Sequence, residues 1–270
     1  MIKYSSHNHI HRTIAMSRFD FYNSQGLRID GRRNYELKNF ESSLTTTSNF
    51  NNFSRNSQSN TTYLQMGQNK ILVNIDGPKE PTNANRSRID QDKAVLDINI
   101  NVTKFSKVNR QESNNSNNLP DKQTQEWEFE VQKLFEKIII LETYPKSVIT
   151  VNVTVLQQDG GILASIINCV SIALMNNSIQ VYDIVTACSV GIVDQKHYIL
   201  DLNHLEEQFL TSGTIAIVGN SALQNIEDAN VCLLSLKDIF PLDLLDGFMM
   251  VGIQGCNTLK EIMVKQVKDM

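Results

Sequence analysis

A chain of 270 residues can form one large domain or two small ones, and its 41% apolar and 20% charged residues are ordinary globular usage. This composition excludes a fibrous or wholly disordered protein, and no apolar run approaches the roughly 20 residues of a membrane-spanning helix. Net charge is −4 but unevenly spread: residues 1–125 carry 17 Lys and Arg against 11 Asp and Glu, and residues 126–270 carry 8 against 18. The halves are therefore +6 and −10, which reads as one basic face on an acidic body or as clustering on solvated loops. Cys169, Cys188, Cys232 and Cys256 lie far apart in apolar stretches without a CxxC pair. They read as reduced core thiols in a reducing compartment.

Residues 1–15 hold His7, His9 and His11 and no acidic residue, and read as a disordered extension ahead of an internal, start-like Met16. A terminal tail rarely offers the fixed scaffold that a three-histidine metal site needs. Residues 16–270 then read as a single domain interrupted by Asn- and Ser-rich insertions at about 48–60 and 111–120. Glu41 to Thr47 and Thr61 to Met66 flank the first insertion as a hairpin, and Lys70 to Ile75 is a β-rich run that stops at Gly77-Pro78. Ala94, Leu96, Ile98, Ile100 and Val102 alternate as one face of a half-buried strand. Trp127, Val131, Leu134, Phe135 and Ile138 fall at helical spacing before Pro145. Val148 to Leu156 is a strand, Gly160-Gly161 breaks it, and Ile162 to Met175 is apolar all round, hence a buried helix.

The second half adds strands at Asp183 to Val193, His197 to Leu200, Thr214 to Val218 and Val231 to Leu234, with a polar helical turn at Leu202 to Gln208. From about Pro241 the chain turns helical, where Gly247, Gly252 and Gly255 lower helix propensity and allow close packing on a sheet. Strands, helix, strand, helix, strands, helix make an α+β fold of mixed sheets packed with helices rather than a regular βαβ series.

Four segments carry chemistry. The GLRIDGRR loop at 26–33 offers paired guanidinium groups suited to phosphate, although Arg32 and Arg33 could equally pair with Glu36 and the acidic half. The DGPKEP turn at 76–81 presents Lys79 ahead of a polar loop with Arg86 and Arg88. The QQDGGILAS junction at 157–165 is a strand-to-helix turn of the kind that favours an anion, yet Ile162 and Leu163 bring no polar side chain to it. LDLNHLEEQ at 200–208 groups Asp201, Glu206 and Glu207, which would serve as metal ligands or a general base, or else form a solvated helical turn capped by Asp201. No Walker loop, dinucleotide fingerprint, nucleophile elbow, HExxH or zinc-finger spacing is present, and His197 and His204 are isolated.

Taken in order, GLRIDGRR, DGPKEP, NVTKFSK at 101–107, LQQDGG at 156–161, SVGIVD at 189–194 and LDLNHLEE at 200–207 resemble the RNase PH family, and within it the ring subunits of the exosome. The resemblance implies a domain of the ribosomal-protein-S5-domain-2-like type. It also implies pairing with RNase PH-like paralogues in a hetero-hexameric ring, S1/KH cap subunits, a hydrolytic exoribonuclease below the ring and single-stranded RNA, with no membrane. Residence in nucleus, nucleolus and cytoplasm follows from it as well. Active members degrade RNA from the 3′ end with phosphate as nucleophile. Where those members carry a phosphate-binding arginine this chain has Gln123, where they carry Thr-Arg or Ser-Arg after paired glycines it has Ile162 and Leu163, and where they carry two aspartates six residues apart it has Glu207 and Gly213. The resemblance therefore implies a ring subunit without catalytic residues, cofactor or metal. It would guide RNA through basic positions at Arg86, Arg88, Lys107, Arg110 and Lys122, with Lys104 leading toward them. The alternative is an active phosphate-dependent 3′–5′ exoribonuclease.

Overall fold

The computed structural model describes residues 26–46, 60–80, 92–106, 121–193, 197–219, 230–237 and 240–269. The N-terminal extension, both Asn-rich insertions, and Arg86, Arg88, Lys107 and Arg110 lie outside the described residues. The chain divides into two compact units, Met1–Asn34 and Tyr35–Met270. In the first, the 26–33 motif closes a tight turn, with Gly31 N–H donating to Arg28 O at 2.9 Å and Arg28 N–H to Arg32 O at 3.0 Å. Arg32 pairs with Asp30 at 3.1 Å, so one of the two expected phosphate-facing arginines is already matched by a carboxylate within the loop.

The second unit holds two sheets. Strands β1 (Phe40–Thr46), β2 (Asn60–Met66), β3 (Asn69–Lys79), β4 (Val95–Val102) and β5 (Val148–Gln157) form the first, in the order β1-β2-β3-β5-β4. Only β4 and β5 are parallel, and helix α1 (Lys122–Glu136) connects them as a βαβ crossover. After the buried helix α2 (Ile162–Asn176), strands β6 (Val185–Val193), β7 (His197–Leu200), β8 (Thr211–Val218) and β9 (Asn230–Leu236) form an antiparallel second sheet in the order β7-β6-β8-β9. Helix α3 (His204–Phe209) precedes β8, and α4 (Leu245–Asp269) ends the described chain.

Helix α2 touches β2, β3 and β5 of one sheet and β6 and β8 of the other. Every residue from Ile162 to Leu174 is buried, which is why its sequence shows no polar face. Its interior polar groups are paired. Asn168 exchanges two hydrogen bonds with the Ala187 backbone at 2.7 and 2.9 Å, and the Ser171 hydroxyl accepts from Val185 N–H at 3.2 Å. Helix α4 lies against β6, β7 and β8, and its glycines permit the approach: a Cβ at Gly252 would fall 2.3 Å from Ile215 Cδ1. Two exposed sheet edges are covered by side chains. Gln266 of α4 accepts from Ser42 N–H and donates to Phe40 O on β1, while Glu128 and Gln132 of α1 bond Ile100 N–H and Leu96 O on β4.

Two sequence expectations need correction. Strand β3 does not stop at Gly77-Pro78 but continues to Lys79 through a cis peptide, and a register shift against β5 between Asp76 and Lys79 accommodates the proline, which has no N–H for the ladder. Cys232 is not a core thiol. At the β8/β9 irregularity Leu233 pairs Ala216 and Val231 pairs Ile217, leaving Cys232 unpaired, and β9 turns Cys232 outward on the same face as Asn230, Leu234 and Leu236. Cys169, Cys188 and Cys256 are buried as expected, and burial raises all three thiols, Cys256 to about 12.

One buried charge ties the strand-to-helix turn after β5 to the loop after β7. The Lys38 ammonium donates to Asp159 O at 2.9 Å and Leu202 O at 2.8 Å, and lies 3.8 and 3.7 Å from the Asp159 and Asp201 carboxylates. Its own backbone N–H donates to Asp201 Oδ2 at 2.9 Å. The Asn69 amide donates to Gly160 O at 2.8 Å and its oxygen accepts from Asp159 N–H, which binds β3 to the same turn. Lys38→Met is expected to cost on the order of 3 kcal/mol in urea denaturation, because a buried pair loses one partner; a midpoint unchanged from wild type would contradict this. In the folded isolated chain, a thiol reagent should modify Cys232 alone, with Cys169, Cys188 and Cys256 reacting only as it unfolds. Reaction of Cys169 or Cys256 at the rate of Cys232 would contradict their burial.

Candidate functional site

Because β4 and β5 are parallel, both finish at the same end of the first sheet. Helix α1 runs antiparallel to β4, since Glu128 reaches Ile100 and Gln132 reaches Leu96, so its first residues, Lys122 and Gln123, return to that end. The Thr103–Ser106 turn after β4, the Gln158–Gly161 turn after β5 and the start of α2 lie there as well. This is the end of a parallel strand pair where ligands commonly bind.

The turn into α2 requires two glycines. Gly160 and Gly161 have φ of 58° and 61°, and a Cβ would lie 2.4 Å from the Asn203 carbonyl carbon at the first and 2.6 Å from Ser189 Oγ at the second. Gly161 caps α2 without a side chain, so its N–H groups are available to an anion. The anion present is the protein's own: Gly161 N–H donates to Glu207 Oε2 at 2.9 Å. The other Glu207 oxygen pairs with Lys237, just after β9. Ile162 and Leu163 point into the core, at 2% and 6% exposure, and bring no polar group to the turn.

The three carboxylates of the 200–208 motif do not converge. Asp201, buried and at φ 54°, faces Lys38. Glu206 accepts from Asn203 N–H at 2.9 Å and completes a capping box with Asn203, so Asn203 and not Asp201 caps α3. Glu207 faces Gly161 and Lys237. Adjacent helical residues point about 100° apart, which is why Glu206 and Glu207 take different tasks. Among the described residues no group of three or more His, Cys, Asp or Glu is placed to hold a metal ion.

Gln123 is exposed in the first turn of α1, uncharged, beside exposed Lys122. At Gly213 on β8 a Cβ would meet Leu236 Cδ2 at 2.6 Å, Ser235 O at 2.9 Å and Phe248 Cζ at 3.1 Å, so a carboxylate side chain has no room there. Lys104 is exposed on the turn after β4. Three residues that matter here escaped the sequence reading: Lys38, Asn69 and Lys237. None sits in a motif, and their partners are distant in the chain; Lys237 is 30 residues from Glu207 and Lys38 is 163 from Asp201.

A profile of the 3′ exoribonuclease family, domain 1, matches residues 37–180. The chain is 36% identical over 253 residues to exosome complex component SKI6 of Saccharomyces cerevisiae, covering 94% of this chain and 95% of the relative. It is 32% identical over 253 residues to exosome complex component ski6 of Schizosaccharomyces pombe, covering 94% and 96%. Among solved structures, rice Rrp46 superposes with a TM-score of 0.70 at 19% identity, covering 89% of this chain and 100% of that one. A chain of the Archaeoglobus fulgidus exosome with RNA bound to the active site gives 0.65 at 17% identity, covering 88% and 92%. The α+β fold of mixed sheets packed with helices expected from the sequence is the fold of these structures, and the chain belongs to the RNase PH family of 3′ exoribonuclease domains and their exosome relatives.

Proposed function

We propose that the chain is a non-catalytic ring subunit of an RNA exosome, which contributes structure and a basic surface that guides single-stranded RNA to a hydrolytic 3′–5′ exoribonuclease. The observation that carries the loss of catalysis is the Glu207 carboxylate on the Gly161 N–H. A phosphate nucleophile at the start of α2 would have to displace that carboxylate from its N–H and from Lys237, and would find no charged donor at Ile162 and Leu163, whose side chains lie in the core. Gln123 and Leu163 in place of two arginines remove charge-assisted hydrogen bonds worth about 1.5–3 kcal/mol each. Gly213, hemmed in by Leu236 and Phe248, offers no second carboxylate.

What persists is positive charge. Lys104 and Lys122 share the sheet end with the α2 start, and Lys107 and Arg110 belong to the connection from β4 to α1; Arg86 and Arg88 belong to the β3–β4 connection, whose two ends, Lys79 and Val95, pair with Val148 at the start of β5. A basic surface of this kind holds RNA by its phosphates without sequence preference. RNase PH-like paralogues complete the ring, S1/KH subunits cap it, and the assembly works in nucleus, nucleolus and cytoplasm in rRNA processing and RNA decay; the similarity to fungal exosome components along nearly the full chain supports this placement.

The native assembly, isolated through a tag on this chain and given 3′-labelled single-stranded RNA, should release nucleoside monophosphate whether or not inorganic phosphate is added. Nucleoside diphosphate that appears only with phosphate would establish a working phosphorolytic site and overturn the proposal. Arg86→Glu together with Arg88→Glu should slow RNA degradation by the intact assembly without changing its subunit content. An unchanged rate would count against the conduit.

A further inference from the structure

We infer that Phe105, with Lys104 beside it, is a stacking platform for a base of single-stranded RNA; this rests on the RNA-conduit reading and gives it a specific contact. The turn after β4 is built to hold its tip still. Thr103 donates to Val155 O from both its N–H, at 3.2 Å, and its hydroxyl, at 2.8 Å. Ser106 closes the turn onto Thr103 O with its N–H at 3.0 Å and its hydroxyl at 2.7 Å, and Gln158 N–H bonds Ser106 O at 3.3 Å. Both ends of the four-residue turn are therefore pinned to β5 and its continuation, and Ser106 itself is buried.

The side chain at the tip of this pinned turn is apolar and faces water: Phe105 is 65% exposed. Fixing the backbone beforehand lowers the ordering cost of a contact made there. An exposed phenyl ring on a rigid support gains nothing for the fold. What would cover it is indicated by charge. From Asn101 to Gln111 the sequence carries Lys104, Lys107 and Arg110 and no acidic residue, in a chain whose net charge is −4. Lys122 returns to the same sheet end at the start of α1. An aromatic ring with Lys104 beside it in the chain and Lys122 at the same sheet end matches alternating bases and phosphates, and base stacking on an aromatic side chain tolerates any sequence. The platform stands at the end of the parallel strand pair that also carries the α2 start, so a strand held there passes the disabled anion site.

The test measures binding of a labelled oligouridylate to the assembled ring without its nuclease, at several salt concentrations. Phe105→Ala should weaken binding about tenfold with an unchanged salt slope, because stacking is lost and no phosphate contact is. Phe105→Trp should bind at least as tightly as wild type, and Phe105→Leu, similarly apolar but without a ring, should behave like the alanine variant. Lys104→Ala should instead lower the magnitude of the salt slope by about 0.7, the value for one phosphate contact on a single strand. Wild-type affinity in Phe105→Ala, or full affinity in Phe105→Leu, would overturn the platform. So would failure of Phe105→Ala to enter the ring, which would mark the residue as a protein contact. If Arg86→Glu with Arg88→Glu weakens binding while Phe105→Ala does not, the platform fails and the conduit stands; if neither does, both fail.

Discussion

The buried ammonium of Lys38 is the constraint on which the functional end of the molecule depends. It is surrounded by the carbonyl oxygens of Asp159 and Leu202 and by two carboxylates, an arrangement of acceptors that no neutral side chain could hold together. One side of that shell is the turn that launches α2, and the other is the loop that launches α3. By joining them, Lys38 sets where Glu207 stands relative to Gly161. The glycine pair completes the arrangement: without a Cβ at 160 or 161 the two backbones approach closely enough for the Glu207 carboxylate to reach the helix start.

The same helix start that could receive a phosphate is thus satisfied from within. A carboxylate and a phosphate present similar acceptors to backbone N–H groups, and the helix dipole favours both. The internal ligand is pre-positioned, so it carries none of the entropy cost of capturing a free ion. Lys237 balances its charge, and the buried Ile162 and Leu163 turn the following residues into core. The helix start is therefore closed as a packed and paired structure, which is the support for the proposed non-catalytic role. The stacking proposed at Phe105 and the proposed basic conduit would suit that role, since neither requires chemistry at the RNA.

Much of the architecture was legible beforehand because burial imposes periodicity. The alternation from Ala94 to Val102, the valines of 148–156 and the all-apolar 162–175 segment correspond to β4, β5 and α2 within a residue or two. Misreadings came where a local cue competed with a long-range one. Gly77-Pro78 is a stop signal by itself, but β5 offers a partner that carries β3 past it. Asp201 precedes a helix and looks like its cap, yet a lysine 163 residues away takes its carboxylate inward. Cys232 lies among apolar residues, yet it falls on the outward face of β9, the edge strand of its sheet.

The order of motifs along the chain was enough to indicate the family, and the residues at positions 123, 162, 163 and 213 on which the proposed loss of catalysis rests were visible as letters, because residue identity and spacing are linear properties. Which carboxylate meets which cation was settled only by the tertiary structure. Asp201, Glu206 and Glu207 are near neighbours in sequence with three separate fates, and each fate is decided by a group that arrives from another element: Lys38 ahead of β1, the Asn203 cap, and Gly161 with Lys237. Pairing of this kind depends on the path of the backbone through space, which short-range pattern does not encode.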